Sequence, residues 1–146
     1  MSTQRRKPHS LRLKPKSTDG GNEVSAIDDE DGLLLGLLDT FQRSTRRGDA
    51  AAATTKILDQ LVELLALHFT SEQLVMRVNG YPYYQVHADE HDHMLARVRD
   101  WRHRYLADEV SAEDAGRSIK ALLLAHMGGK DHALKEDLRR MRENEQ

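Results

Sequence analysis

The stretch ILDQLVELLALHFTSEQLV, residues 57–75, decides how the rest of the chain is read. Ile57, Leu61, Leu64, Leu65, His68, Glu72 and Val75 recur at steps of mostly three and four, which places them on one face of an α-helix. Up to Leu65 that face is apolar. Then an imidazole and a carboxylate, four positions apart, occupy places where a packed bundle calls for leucine. The helix is predicted to begin near Asp49 and Ala50 and to end at Asn79-Gly80.

The same periodicity continues outward in both directions. Upstream, Ile27, Leu34, Leu38 and Phe41 form a helical stripe with Ser25 as its expected N-cap and Gly48 as its stop. Downstream, a helix opening after Pro82 carries Tyr84, His87, His91, Met94, Val98, Trp101 and Tyr105 inward. Ser111 with Asp114 three residues later resembles a capping box for a fourth helix through Ile119, Leu122, Leu123 and His126. Gly128-Gly129 is expected to break that helix, and a short, highly charged one, roughly 133–143, follows. The expected fold is therefore all-α: an up-down-up-down four-helix bundle with a short C-terminal helix.

Composition agrees with this and narrows the function. The 146 residues hold 22 Lys+Arg against 24 Asp+Glu, too balanced for a domain that binds nucleic acid through its overall charge. Aromatics at 5% speak against a β-sandwich or barrel, and the absence of cysteine excludes disulfides and thiolate metal sites. The longest apolar run, from Leu33 to Leu38, is far too short to span a membrane. No apolar segment follows the early basic residues, so a secretory signal is not expected and a cytoplasmic location is. Residues 1–25 form the first of two expected regions, a disordered arm carrying Arg5, Arg6, Lys7, Arg12, Lys14 and Lys16, with residues 26–146 as the bundle. The arm offers at most a weak contact with a polyanion, and no aromatic is interleaved for base stacking.

The informative residues are polar ones on apolar stripes. His68 and Glu72 sit on helix two, His87 and His91 on helix three, and His126 on helix four, with Asp131 five residues beyond it. Two side chains four apart on a helix can aim at one small volume. Burying four imidazoles and two carboxylates in one core is costly unless something pairs with them. A metal site accounts for all six, since imidazole and carboxylate together suit iron and related ions.

The runs HFTSEQLVM (68–76), YPYYQVHADEH (81–91) and HMGGKD (126–131) resemble the bacterial hemerythrins, which carry H-x3-E, H-x3-H and H-x4-D on their second, third and fourth helices. The similarity covers about residues 26–131. It implies a non-haem di-iron centre, oxo- or hydroxo-bridged, that binds O2 or a related small ligand. It further implies that Glu72 and Asp131 bridge two Fe ions, that His87, His91 and His126 bind one of them, and that His68 binds the other. The family also takes a histidine from helix one, in a sequence like I-D-x-Q-H. Here Ile27-Asp28-Asp29-Glu30-Asp31 puts Asp31 in its place, facing inward between Ile27 and Leu34. Asp31 is thus a seventh candidate ligand, and its charge is expected to favour Fe(III) over Fe(II). Carriage, storage and sensing of O2 share this chemistry. A di-iron oxidase or peroxide-reactive enzyme, and an interaction module with a vestigial metal site, stand as alternatives. His93, His103 and His132 are expected to face solvent.

Overall fold

A computed structural model describes residues 20–145. The basic residues of the N-terminal arm, and with them the polyanion contact, lie outside the described residues. The chain forms α1 (Gly20–Arg46), α2 (Ala51–Val78), α3 (Tyr84–Leu106), α4 (Ala112–His126), a π-helical turn (Met127–Asp131) and α5 (His132–Asn144), with no strand among the described residues. Helix α1 packs on α2, α2 on α3, α3 on α4, and α4 back on α1, which closes a four-helix bundle; α5 lies against α1. No helix among the described residues is long and apolar enough to cross a membrane.

Two short turns depend on glycine. Gly48 (φ 74°) and Gly80 (φ 61°) take left-handed backbone conformations that end α1 and α2, as their positions in the sequence predict. Ser111 caps α4 by accepting a hydrogen bond from the Asp114 backbone N–H at 3.0 Å, also as expected.

Three expectations are corrected. Ser25 is not an N-cap: α1 starts at Gly20, and Ser25 is an exposed residue within it. The extension is held by packing, since Val24 is buried with Ile27, Met76, Tyr81, Leu134 and Leu138, and Asn79 Nδ2 donates to Glu23 at 2.8 Å. Gly128-Gly129 does not break the helix; the chain passes through the π-turn directly into α5. On α2 the expected face is displaced by one residue at both ends. Leu58 and Met76 are fully buried there, while Ile57 and Val75 are only half-buried.

The core has two parts. The larger contains Leu34, Leu38, Phe41, Leu58, Leu61, Leu65, Phe69, Met94, Val98, Ile119 and Leu123. The smaller is the cluster that Leu134 and Leu138 of α5 close over α1 and α2. Asp31 lies between Ile27 of the smaller part and Leu34 of the larger, and His68 and Glu72 lie between Leu65 and Met76. The polar residues are thus enclosed by apolar layers on both sides.

Candidate metal centre

All seven candidate ligands are buried and meet in one place. Asp31 comes from the first half of α1, His68 and Glu72 from the second half of α2, His87 and His91 from the start of α3, and His126 from the end of α4. Alternating helix direction brings these segments to the same level. Asp131 arrives by a different device. In an α-helix, about 100° per residue would put it roughly 140° away from His126. The π-turn widens the spiral so that residues five apart lie above one another, and Asp131 Oδ1 comes within 2.8 Å of His126 Nε2.

The ligand atoms fall into two groups. Glu72, His87, His91, His126 and Asp131 each offer one atom within 4.8 Å of the others, and so do Asp31, His68 and Asp131. Glu72 divides its oxygens between them. Its Oε2 is 2.7 Å from His68 Nε2, and its Oε1 is 2.8 Å from His87 Nε2 and 3.6 Å from His91 Nε2. Asp31 Oδ1 is 3.3 Å from His68 Nε2.

Closeness here does not mean hydrogen bonding. Both Glu72 oxygens, His68 Nε2, Asp31 Oδ1 and Asp131 Oδ2 are buried without a hydrogen-bond partner although their neighbours are near. Between His68 and Glu72 the 2.7 Å contact is an ion pair whose geometry falls short of a hydrogen bond. Buried polar atoms left in this state are costly, and a cation among them supplies what each lacks. The donor set of imidazole nitrogens and carboxylate oxygens fits iron.

Two of the four outer ring nitrogens carry an acceptor. His68, His87, His91 and His126 all present Nε2 inward. His68 Nδ1 meets Glu30 Oε2 at 2.5 Å, His91 Nδ1 meets Gln73 Oε1 at 3.1 Å, and His126 Nδ1 lies 3.7 Å from Glu90 Oε1. At His68 and His91 the acceptor at Nδ1 fixes the tautomer that leaves Nε2 free to bind a metal, whereas Nδ1 of His87 and of His126 is buried without a hydrogen-bond partner. The Phe69 ring stacks on His91, with centroids 3.9 Å apart and planes 10° from parallel.

Electrostatics follow from this crowding. Burial disfavours the charged form of His68, but Asp31, Glu72 and Glu30 outweigh it and push its pKa to about 11. Burial likewise opposes His87, and Asp131 and Glu72 raise it to about 9. Burial also works against the Glu72 carboxylate, yet the His68, His87 and His91 nitrogens hold it below the usual carboxylate range. His91 is pushed down, chiefly by burial.

Glu30, Gln73 and Glu90 escaped the sequence reading, and so did Lys135. Its ammonium is 3.2 Å from Asp31 Oδ2 and 2.5 Å from Asp28 Oδ1. Burial opposes its charge, but the two aspartates push its pKa up. The carboxylate at position 31 therefore brings a counter-charge with it. One signal was available: Lys135 is four residues after Asp131 and so shares its face of the helix. His93, His103 and His132 are exposed, as expected.

A four-helix bundle with a buried histidine–carboxylate centre between its helices defines a class of metal-binding protein. The sequence pattern of the Hemerythrin HHE cation binding domain matches residues 22–138, and the chain belongs to that family. It is 27% identical over 106 residues to the bacteriohemerythrin of Stenotrophomonas maltophilia (strain R551-3), covering 73% of this chain and 67% of that protein. To the bacteriohemerythrin of Methylococcus capsulatus it is 25% identical over 108 residues, 73% of this chain and 82% of the relative. Against that of Pseudomonas aeruginosa (strain UCBPP-PA14) the identity is 26% over 100 residues, and the match spans 62% of the relative's length. No solved structure matches the chain significantly.

Proposed function

We propose that the chain holds two iron ions and binds O2 or a related small ligand. His87, His91 and His126 would hold one iron, His68 and Asp31 the other, and Glu72 and Asp131 would bridge them. The observation that carries this reading is the split of Glu72, one oxygen toward His68 and the other toward His87 and His91. A carboxylate serving a single ion has no reason to face imidazoles on opposite sides. Asp131 belongs to both ligand groups and supports the same conclusion.

A pair of iron ions bound by these residues would supply the two-electron redox chemistry that reversible O2 binding requires. The protein's part is to keep the site dry and asymmetric. Phe69 and the apolar layers exclude water, and the His68–Asp31 end offers fewer imidazoles than the His87–His91–His126 end. The bacteriohemerythrin relatives support this assignment. A second reading, an oxidase that consumes O2 or peroxide, is favoured by the carboxylate at position 31.

The test is anaerobic loading with Fe(II), metal analysis, and the visible spectrum on admitting air. Two irons per chain and an absorption band that appears with O2 and leaves on its removal are expected. One iron or none would overturn the two-iron reading, and a band that bleaches irreversibly on each exposure would favour the oxidase.

A further inference from the structure

We propose that Lys135 is a positioning residue for the Asp31 end of the centre, and that Asp31 and Lys135 act together as one neutral unit. The inference rests on the two-iron reading above. Asp31 uses its two oxygens differently. Oδ2 accepts from the Lys135 ammonium at 3.2 Å, whereas Oδ1 faces His68 Nε2 at 3.3 Å and has no hydrogen-bond partner. With one oxygen held by lysine, Asp31 presents a single oxygen to the space shared with His68 and Asp131.

The arrangement is built into two helices. Lys135 follows Asp131 by four residues on the helix that leaves the π-turn, and Asp28 precedes Asp31 by three on α1. The ammonium therefore lies between two carboxylates of α1 and on the same helical face as Asp131. Lys135 is only 9% exposed, and lysine is seldom so buried without a partner. The Asp28 side chain is 54% exposed, so solvent screens much of its charge. Lys135 thus faces both carboxylates, Asp28 at the shorter distance, and the buried Asp31 is the one whose charge solvent screens least. Position 31 adds one negative charge to the centre and position 135 returns one positive charge.

Charge on a nearby side chain acts on the Fe(III)/Fe(II) equilibrium through space, and a contact role alone does not. Lys135→Met and Lys135→Gln should move that equilibrium roughly tenfold toward Fe(III), a fall of about 59 mV in midpoint potential for one electron. Lys135→Arg keeps the charge and should keep the potential. Asp31→His leaves the lysine uncompensated and should shift the potential the opposite way, and Asp31→His combined with Lys135→Gln should return it to near the wild-type value.

The experiment measures iron per chain, midpoint potential, and melting of the metal-free protein for each variant. If Lys135→Met fails to fold, Lys135→Gln decides, because it keeps a neutral hydrogen-bond donor, one bond shorter than lysine. Loss of iron from a folded Lys135→Gln that Lys135→Arg does not share also supports the positioning role; loss from both overturns it. Unchanged potentials in the Met and Gln variants at two irons per chain, or a double variant displaced further than either single one, would overturn it as well. Fewer than two irons in the wild-type protein would instead bring down the two-iron reading, and this proposal with it.

Discussion

Loading the metal-free protein with a divalent ion near neutral pH should release about two protons per chain. Metal binding requires neutral imidazoles, yet His68 and His87, with pKa values of about 11 and about 9, are charged in the metal-free protein at pH 7. His91, whose pKa is lowered, contributes none. At about 1.4 kcal/mol per pH unit, removing the His87 proton at pH 7 costs about 3 kcal/mol and the His68 proton about 5 kcal/mol. The logarithm of the apparent binding constant should therefore climb by about two for each pH unit between roughly pH 7 and pH 8.5. Anaerobic titration calorimetry in buffers of different ionisation enthalpy counts the protons directly. Release close to zero, with affinity independent of pH, would refute the account of His68 and His87 as ligands that are charged before metal arrives. The metal-free fold carries the same signature with the opposite slope. Both pKa values exceed the roughly 6.5 of an imidazole in an unfolded chain. Their stabilising effect is thus complete below that pH and is lost as pH rises through about 9 and then about 11.

Other expectations concern individual positions. His91→Ala should lose iron and destabilise the metal-free bundle by about 1–3 kcal/mol, because His126 Nε2 and Gln73 lose a buried partner; exposed His103→Ala should do neither, and equal iron content and melting in the two would contradict the assigned faces. Deleting Gly128 should turn the π-turn into ordinary helix with Asp131 four residues after His126 and so still on its face, giving retained iron with nearly unchanged helical circular dichroism; loss of iron would show that the wider π spiral itself is needed to place Asp131. Leu58→Ala, at a fully buried position in the larger core, should cost about 2–5 kcal/mol by denaturant unfolding, against under about 1.5 kcal/mol for Ile57→Val.

The bundle and five of the candidate ligands were legible because each lies on a stripe whose period is that of the helix. His68 with Glu72 and His87 with His91 announce themselves by occupying apolar positions four apart. Asp131 was legible only as a carboxylate just beyond His126, since spacing of five is out of phase with an α-helix and two glycines read most simply as a stop, and Asp31 came through likeness to a known pattern. That irregular spacing was itself the trace of the π-turn. The start of α1 was misplaced because Val24 is held by partners from α2 and α5, distant in sequence, and local capping signals carry no information about them. Glu30, Gln73 and Glu90 resemble ordinary surface polar residues until the histidines beside them are placed in space. Lys135 was hidden in the same way, as one charge among many on a charged helix.

The side chains that converge on the centre span the chain from Asp31 to Asp131, and this has a consequence in polymer terms. The chain has no cysteine, so no covalent bridge ties distant segments together. Two ions held between them by α1, α2, α3, α4 and the π-turn, and joined through Glu72 and Asp131, would serve as a cross-link with several attachment points, closing loops of very different length at once. Because loop closure becomes only slowly more costly as loops lengthen, joining segments so far apart restricts the denatured chain strongly for as long as the ions stay bound. Metal-loaded protein should then unfold as a single unit, with release of the ions and separation of the helices occurring in the same transition.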